Sequence, residues 1–207
     1  MRKLAAISMF AAFAMQSQGF IKTKPHFCLD GIDLVGEDCD VIDAPGTSQE
    51  IYYAFHSDID TFATVAAGPP ATLEDVIMLT ENYTMKAGKY FHKIQAEVDM
   101  NSLQNEFTGE KGSGNWINKA TIFVKSNKAA AVGLASALTR RKIVGLIPLN
   151  DGSIGVIGSQ THPANVKAMF DSLTDNATDP RGWEFQITCT DTQPWRLDPA
   201  LAIPLAP

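Results

Sequence analysis

Polar and apolar positions alternate most cleanly at two places in this chain. In KIQAEVDM (93–100), Ile94, Ala96, Val98 and Met100 take one phase, and Lys93, Gln95, Glu97 and Asp99 the other. In WEFQITCT (183–190), Trp183, Phe185, Ile187 and Cys189 alternate with Glu184, Gln186, Thr188 and Thr190. A period of two sends successive side chains to opposite faces, so both segments predict strands with one face on a core and one in water. KATIFVKS (119–126) predicts another short strand, and the aromatic and β-branched run at 50–65 predicts one or two more.

The stretch KIVGLIPLNDGSIGVIGS (142–159) has a different pattern. Ile143, Val144, Leu146 and Ile147 precede Asn150-Asp151-Gly152, and Ile154, Val156 and Ile157 follow it. Gly152 can take the positive φ of a reversing turn, so this is a hairpin with Asn150, Asp151 and Gly152 at its turn. Because both faces are apolar, both must be covered: one by a core, the other by another layer or a subunit, with an ordinary sandwich-core hairpin as the plainer reading. Gly145, Gly155 and Gly158 inside the strands mark bulges or close approach by another part of the chain.

One internal helix is predicted. Asn127 can cap it, 128–141 is rich in helix formers, and Arg140, Arg141 and Lys142 complement the dipole at its end. Several half-buried strands, one helix and a late hairpin predict a mainly β, α+β fold. It is an antiparallel β-sandwich or barrel with one packed α-helix, an extended N-terminal arm and loops. The arm spans 1–24, the β domain 25–200 and a short C-terminal tail 201–207.

Length and composition fit one ordinary globular domain, with 207 residues of which 45% are apolar. The net charge is −6 and the 17 Lys and Arg are spread along the chain, which argues against a basic groove that grips phosphates. Cys28, Cys39 and Cys189 have no metal-ligand spacing and read as buried thiols, with a Cys28–Cys39 disulfide conceivable in an oxidising compartment. The start, Met1-Arg2-Lys3 and an apolar run to Met15, has the form of a secretory signal but is too short to span a bilayer, so no membrane anchor is expected. It reads either as a retained arm that packs on a neighbour or as a signal removed on secretion.

No pattern points to catalysis, a metal or a cofactor. GEKGSGNW (109–116) lacks the order of a phosphate loop and the strand-to-helix setting that would converge backbone amides on an anion. His26, His56, His92 and His162 are scattered, and His162 precedes Pro163, where it shapes a turn. Ser136 lies inside the predicted helix, away from any nucleophile elbow. The acidic run from Asp30 to Asp43 does not have the ligand spacing of a calcium loop and reads as a solvated face.

Three segments carry a resemblance. FTGEKGSGNWINKATIFVKSN, then IVGLIPLNDGSIGVIGSQTHPANV, then DNATDPRGWEFQITCTDTQPW resemble, in this order, virion structural proteins of phages and prophages of Bacteroidetes-type hosts. That family resembles the tail-tube proteins of long-tailed phages. The likeness covers about residues 75–197 and rests on an ordered series of moderate motifs; the first 20 residues depart from it.

The resemblance implies a tail-tube protein of the virion, assembled in the host cytoplasm, whose homo-oligomeric rings stack into a channel and join other tail proteins. DNA would pass through the channel without specific binding. Under that reading the arm 1–24 and the segment 44–74 bridge rings, the loop 105–117 reaches a neighbour, and the strand 91–100 lines the lumen with Glu97 and Asp99. Three other readings stay open: another tail or head–tail junction component, a secreted or periplasmic β-sandwich binding module, and, last, an enzyme whose site is assembled from distant residues.

Overall fold

The hairpin is the centre of the molecule, as its residues demand. In the computed structural model, which describes residues 46–70, 72–97, 100–110, 112–171 and 181–205, Ile143–Pro148 and Ile154–Ile157 are buried almost throughout. Alternation then divides their side chains. Ile143, Ile147 and Ile157 enter one hydrophobic cluster, while Val144, Leu146, Ile154 and Val156 enter a second on the opposite face. Each such side chain contributes about 1.5–3 kcal/mol when fully buried, so neither face can be left to water.

In chain order the strands are β1 (Glu50–Phe55), β2 (Ile59–Thr61), β3 (Met78–Leu79), β4 (Thr84–Met85), β5 (His92–Gln95), β6 (Ser102–Thr108) and β7 (Asn115–Val124). Helix α1 (Ala129–Arg140) follows, then β8 and β9 (the hairpin), β10 (Asn165–Asp171), β11 (Gly182–Asp191) and β12 (Arg196–Leu197). A six-stranded sheet runs β3-β12-β9-β8-β1-β5, and a four-stranded sheet runs β10-β11-β7-β6. Pairing is antiparallel except between β12 and β3. The two sheets pack face to face with one helix against them, an α+β sandwich as the alternation predicts.

The first cluster fills the space between the sheets. Ile51 and Ile94 meet Ala120, Ile122, Phe185 and Ile187 there, beside the first face of the hairpin. Helix α1 closes one flank through Ala135 and Leu138, which fall on one stripe of a 3.6-residue period. Its N-cap is Lys128, without a side-chain cap; Asn127, the expected cap, precedes it, and Ser126 Oγ instead accepts the Lys128 amide at 3.3 Å. At the other end Arg141 lies 3.6 Å over the Phe55 ring and donates to Ser57 Oγ.

The second face of the hairpin is covered by the chain itself. This is the further layer that two apolar faces require, and the helix packs on the first face instead. Ala54, Ile59, Leu79, Tyr83, Phe91 and Leu197 form the second cluster with it, and Phe62, Trp195, Leu201 and Ile203 pack at its rim. The excursion between β1 and β5 and the last residues both fold back onto this face. Even the tail is built in, since the Phe91 amide donates to Pro204 O at 2.9 Å.

Three expected segments change shape. The strand predicted over 91–100 ends at Gln95; the Ala96 amide turns to Gln49 O and the Glu97 amide to Phe123 O, so the chain crosses between sheets. Met100, assigned inward, is therefore exposed. The segment 44–74, expected to bridge rings, is held within the chain as far as Thr61: β1 and β2 are the strands predicted over 50–65, Ser48 donates to Pro148 O, and Asn150 to Gly46 O. The loop 105–117 is chiefly strand: β6 runs to Thr108 and β7 starts at Asn115. The arm 1–24 and the acidic run lie outside the described residues.

The turn follows its chemistry. The Gly152 amide donates to Leu149 O, the Leu149 amide to Ser153 O, and Asp151 Oδ1 accepts both the amide and the hydroxyl of Ser153 at 2.8 Å. Gly152 has φ +92°. A three-residue loop closing on a left-handed glycine is a recurrent hairpin form. Gly152→Val is expected to cost about 1–2 kcal/mol through that backbone conformation, read as a lower urea midpoint with an unchanged slope. A Cβ on Gly155 would lie 2.3 Å from Leu103 Cδ2. Gly155→Val should therefore cost about 1–3 kcal/mol by overpacking, and Leu103→Ala in the same chain should recover part of it.

Candidate functional site

Two features stand out: the margins of the four-stranded sheet and a cleft at the end of β11. The sheet's margins are β6 and β10, each seven residues long; among the described residues β8 reaches the β10 margin only at its start, where Ile143 pairs with Ala164. Most β6 side chains are exposed or half-buried, and Phe107 and Met169 are about half exposed. Phe107 packs edge-on against Trp116 at 5.6 Å, which stiffens the β6–β7 hairpin. A strand edge of this length presents unpaired backbone donors and acceptors.

The outward phase of this sheet is mostly polar, with Ile117, Phe123 and Met169 as its apolar members. Asn165 and Lys167, Glu184, Gln186, Thr188 and Thr190, Lys119 and Thr121, and Ser102, Gln104 and Glu106 lie in register across it. Glu184, Gln186, Thr188 and Thr190 take the outward phase that their spacing predicts, while Phe185, Ile187 and Cys189 are buried. Of the two acids assigned to a lumen, Glu97 is a half-buried residue at the crossing after β5, and Asp99 lies outside the described residues. The exposed face of β1 and β5 instead carries a Glu50–Lys93 pair at 2.7 Å. That pair, about half exposed, draws Glu50 below the usual carboxylate range through the Lys93 hydrogen bond.

The inward phase of β11 does not stop at its hydrophobic residues. It reaches Asp191, which is 3% exposed. Asp191 Oδ1 accepts the Thr192 amide at 2.6 Å and lies 3.5 Å from His162 Nδ1. Its Oδ2 is sealed from solvent with no hydrogen-bond partner among the described residues. Asn118, on the inward phase of β7, is equally buried and donates through Nδ2 to Gln193 O at 3.0 Å. That bond fixes the crossing 192–195, by which the chain leaves one sheet for the other and lays Trp195 at the rim of the second cluster.

A cleft of about 270 Å³ opens here, walled by Phe62, Leu79, Tyr83, Gln160, Asp191 and Trp195 among others. His56 holds its rim, with Nε2 3.0 Å from Gln160 O and its ring 4.9 Å from Phe62. His162 shapes the adjoining turn, as its place before Pro163 predicts: its carbonyl accepts the Ser159 amide at 3.0 Å. His92 stacks by Tyr53, and His26 lies outside the described residues. Sequence reasoning missed this cleft, although one signal was present: Asp191 continues the apolar phase of its strand.

Cys189, His162 and Asp191 are neighbours, a set that invites comparison with a thiol nucleophile. The geometry opposes it. Cys189 Sγ donates to the His162 backbone carbonyl at 2.9 Å, and burial, then the Asp191 charge, pushes the thiol up to about 12. Activated cysteines are shifted the other way. Ser136 sits within α1, and the glycine-rich stretch is a hairpin tip. No group of three metal-binding side chains occurs among the described residues, and no helix there is long and apolar enough to cross a membrane. Comparison with protein families, with curated proteins and with solved structures finds no match to this chain.

The Cys189 environment makes a measurable statement. With Cys28 and Cys39 replaced by Ser, the remaining thiol should resist a disulfide reagent at pH 8 in the folded chain and react at once in urea. Because the folded thiol titrates near 12 rather than at 9.0, the unfolded chain loses its proton first, so this group lowers stability as pH rises through that window. Replacing Cys189 with Ala should flatten that part of the profile.

Proposed function

We propose that this chain is a phage virion structural protein, the tail-tube subunit, whose copies join in rings that stack into a DNA-conducting channel. The observation that carries the reading is the pair of seven-residue margins, β6 and β10, on opposite sides of one sheet. A ring of identical copies needs two different margins that meet head to tail, and closure then leaves neither edge of that sheet open. The ordered likeness of three sequence segments to phage structural proteins supports the same conclusion; they contain β7, the β8–β9 hairpin and β11, and only the ends of the margin strands β6 and β10.

The outward face of that sheet suits a channel wall. Its charged positions, Glu106, Glu184 and Asp171 with Lys119 and Lys167, carry both signs, and the rest are chiefly amides and hydroxyls, apart from Ile117, Phe123 and Met169. Such a surface offers no cluster of cations to condense on phosphates. The net charge of −6 adds a general repulsion that acts over about 8 Å at physiological salt.

Electron microscopy of the purified chain should show rings or tubes. Natural edge strands stay unpaired by carrying lysine. Phe107→Lys with Met169→Lys, both at exposed margin positions, should leave the circular dichroism spectrum unchanged and the chain monomeric. A wild-type chain that stays a monodisperse monomer at high concentration overturns the proposal and leaves the secreted binding module in its place. Unimpaired assembly by the double variant would show that these margins are not the contact.

A further inference from the structure

We infer that the cleft beside Asp191 binds a small organic ammonium of the alkylated, trimethylammonium-like class. The inference is independent of ring assembly, because none of the residues it uses belongs to β6 or β10.

The charge of the ligand follows from Asp191. A carboxylate 3% exposed needs compensation, and here it has little: Oδ1 is bonded by Thr192 and approached by His162, whose side chain is 47% exposed, while Oδ2 has no partner among the described residues. No Lys or Arg pairs with it there. An under-compensated negative charge between low-dielectric walls makes a focused potential that attracts a cation and rejects an anion.

The kind of cation follows from the walls. Phe62, Tyr83 and Trp195 line one cleft, with the first two rings 6.3 Å apart and nearly perpendicular. Aromatic faces attract a weakly hydrated organic cation, as in sites for quaternary ammonium groups. The cleft brings one carboxylate, Asp191, whose oxygens are covered, and no group of three His, Cys, Asp or Glu side chains that could hold a metal ion occurs among the described residues. Since the Asp191 oxygens are covered, the head group takes the acid's charge through space and its contact from the rings, so it needs no N–H. A cleft of about 270 Å³ admits a head of that size with a short tail.

Choline and its neutral isostere, 3,3-dimethylbutan-1-ol, make the test, titrated by calorimetry into the full chain. Choline should bind at least about tenfold more tightly than the alcohol, the worth of one desolvated cation–aromatic contact. Asp191→Asn should abolish that preference, and Phe62→Leu, at a partly buried rim position, should weaken choline severalfold with the fold intact. If Asp191→Asn does not fold, Phe62→Leu and the choline-to-alcohol ratio still decide. No saturable heat from choline at millimolar concentration, or equal affinity for the alcohol, overturns the inference.

Discussion

The structure depends on one constraint: a hairpin apolar on both faces sits in the middle of a sheet, so the chain must supply two covers for it. The second sheet and α1 cover one face, through Phe185, Ile187, Ala135 and Leu138. The other is covered by Ile59, Leu79, Tyr83, Phe91 and Leu197, drawn from short strands and connections far apart in the sequence. These pieces are too short to hold a shape alone and gain their order from the apolar surface beneath them. The route of the chain after β1, and again after β11, follows from that need.

The same route creates the cleft. Where the chain leaves β11 for β12 it crosses from the four-stranded to the six-stranded sheet, and Asn118 clamps the crossing through Gln193. At such a corner the inward positions of a strand are no longer filled by a facing sheet. Asp191 occupies one of them, with aromatic residues of the second cluster around it. A polar residue there is tolerated because the Thr192 amide and hydroxyl answer one of its oxygens. Its other oxygen, like Asn118 Oδ1, has no such answer among the described residues.

Much of this could be read from residue types alone. The period of two in 183–190 identified the inner and outer faces of β11, and the Asp-Gly turn identified the hairpin, because both signals are local. The hairpin's second cover was not legible, since nothing in Leu79, Tyr83 or Leu197 says what lies across from it. The strand at 93–100 was overrun for a related reason: alternation continues through Val98 and Met100, but the Ala96 and Glu97 amides bond to other segments. Alternation records which side chains prefer water, whereas hydrogen bonding across sheets decides where a strand stops. Asp191 was legible in principle, as an acid on an apolar phase, and its aromatic neighbours were not.

The contact between Leu103 and Gly155 has a consequence of its own. Leu103 belongs to an outer strand, yet its methyl groups occupy the hollow where a central strand lacks a side chain. Sliding β6 by one residue along β7 would swing Leu103 into water and present Gln104 to the hollow instead. The sequence position of every outward-pointing amide on that margin is thus indexed from inside the molecule, like a key cut before it meets its lock.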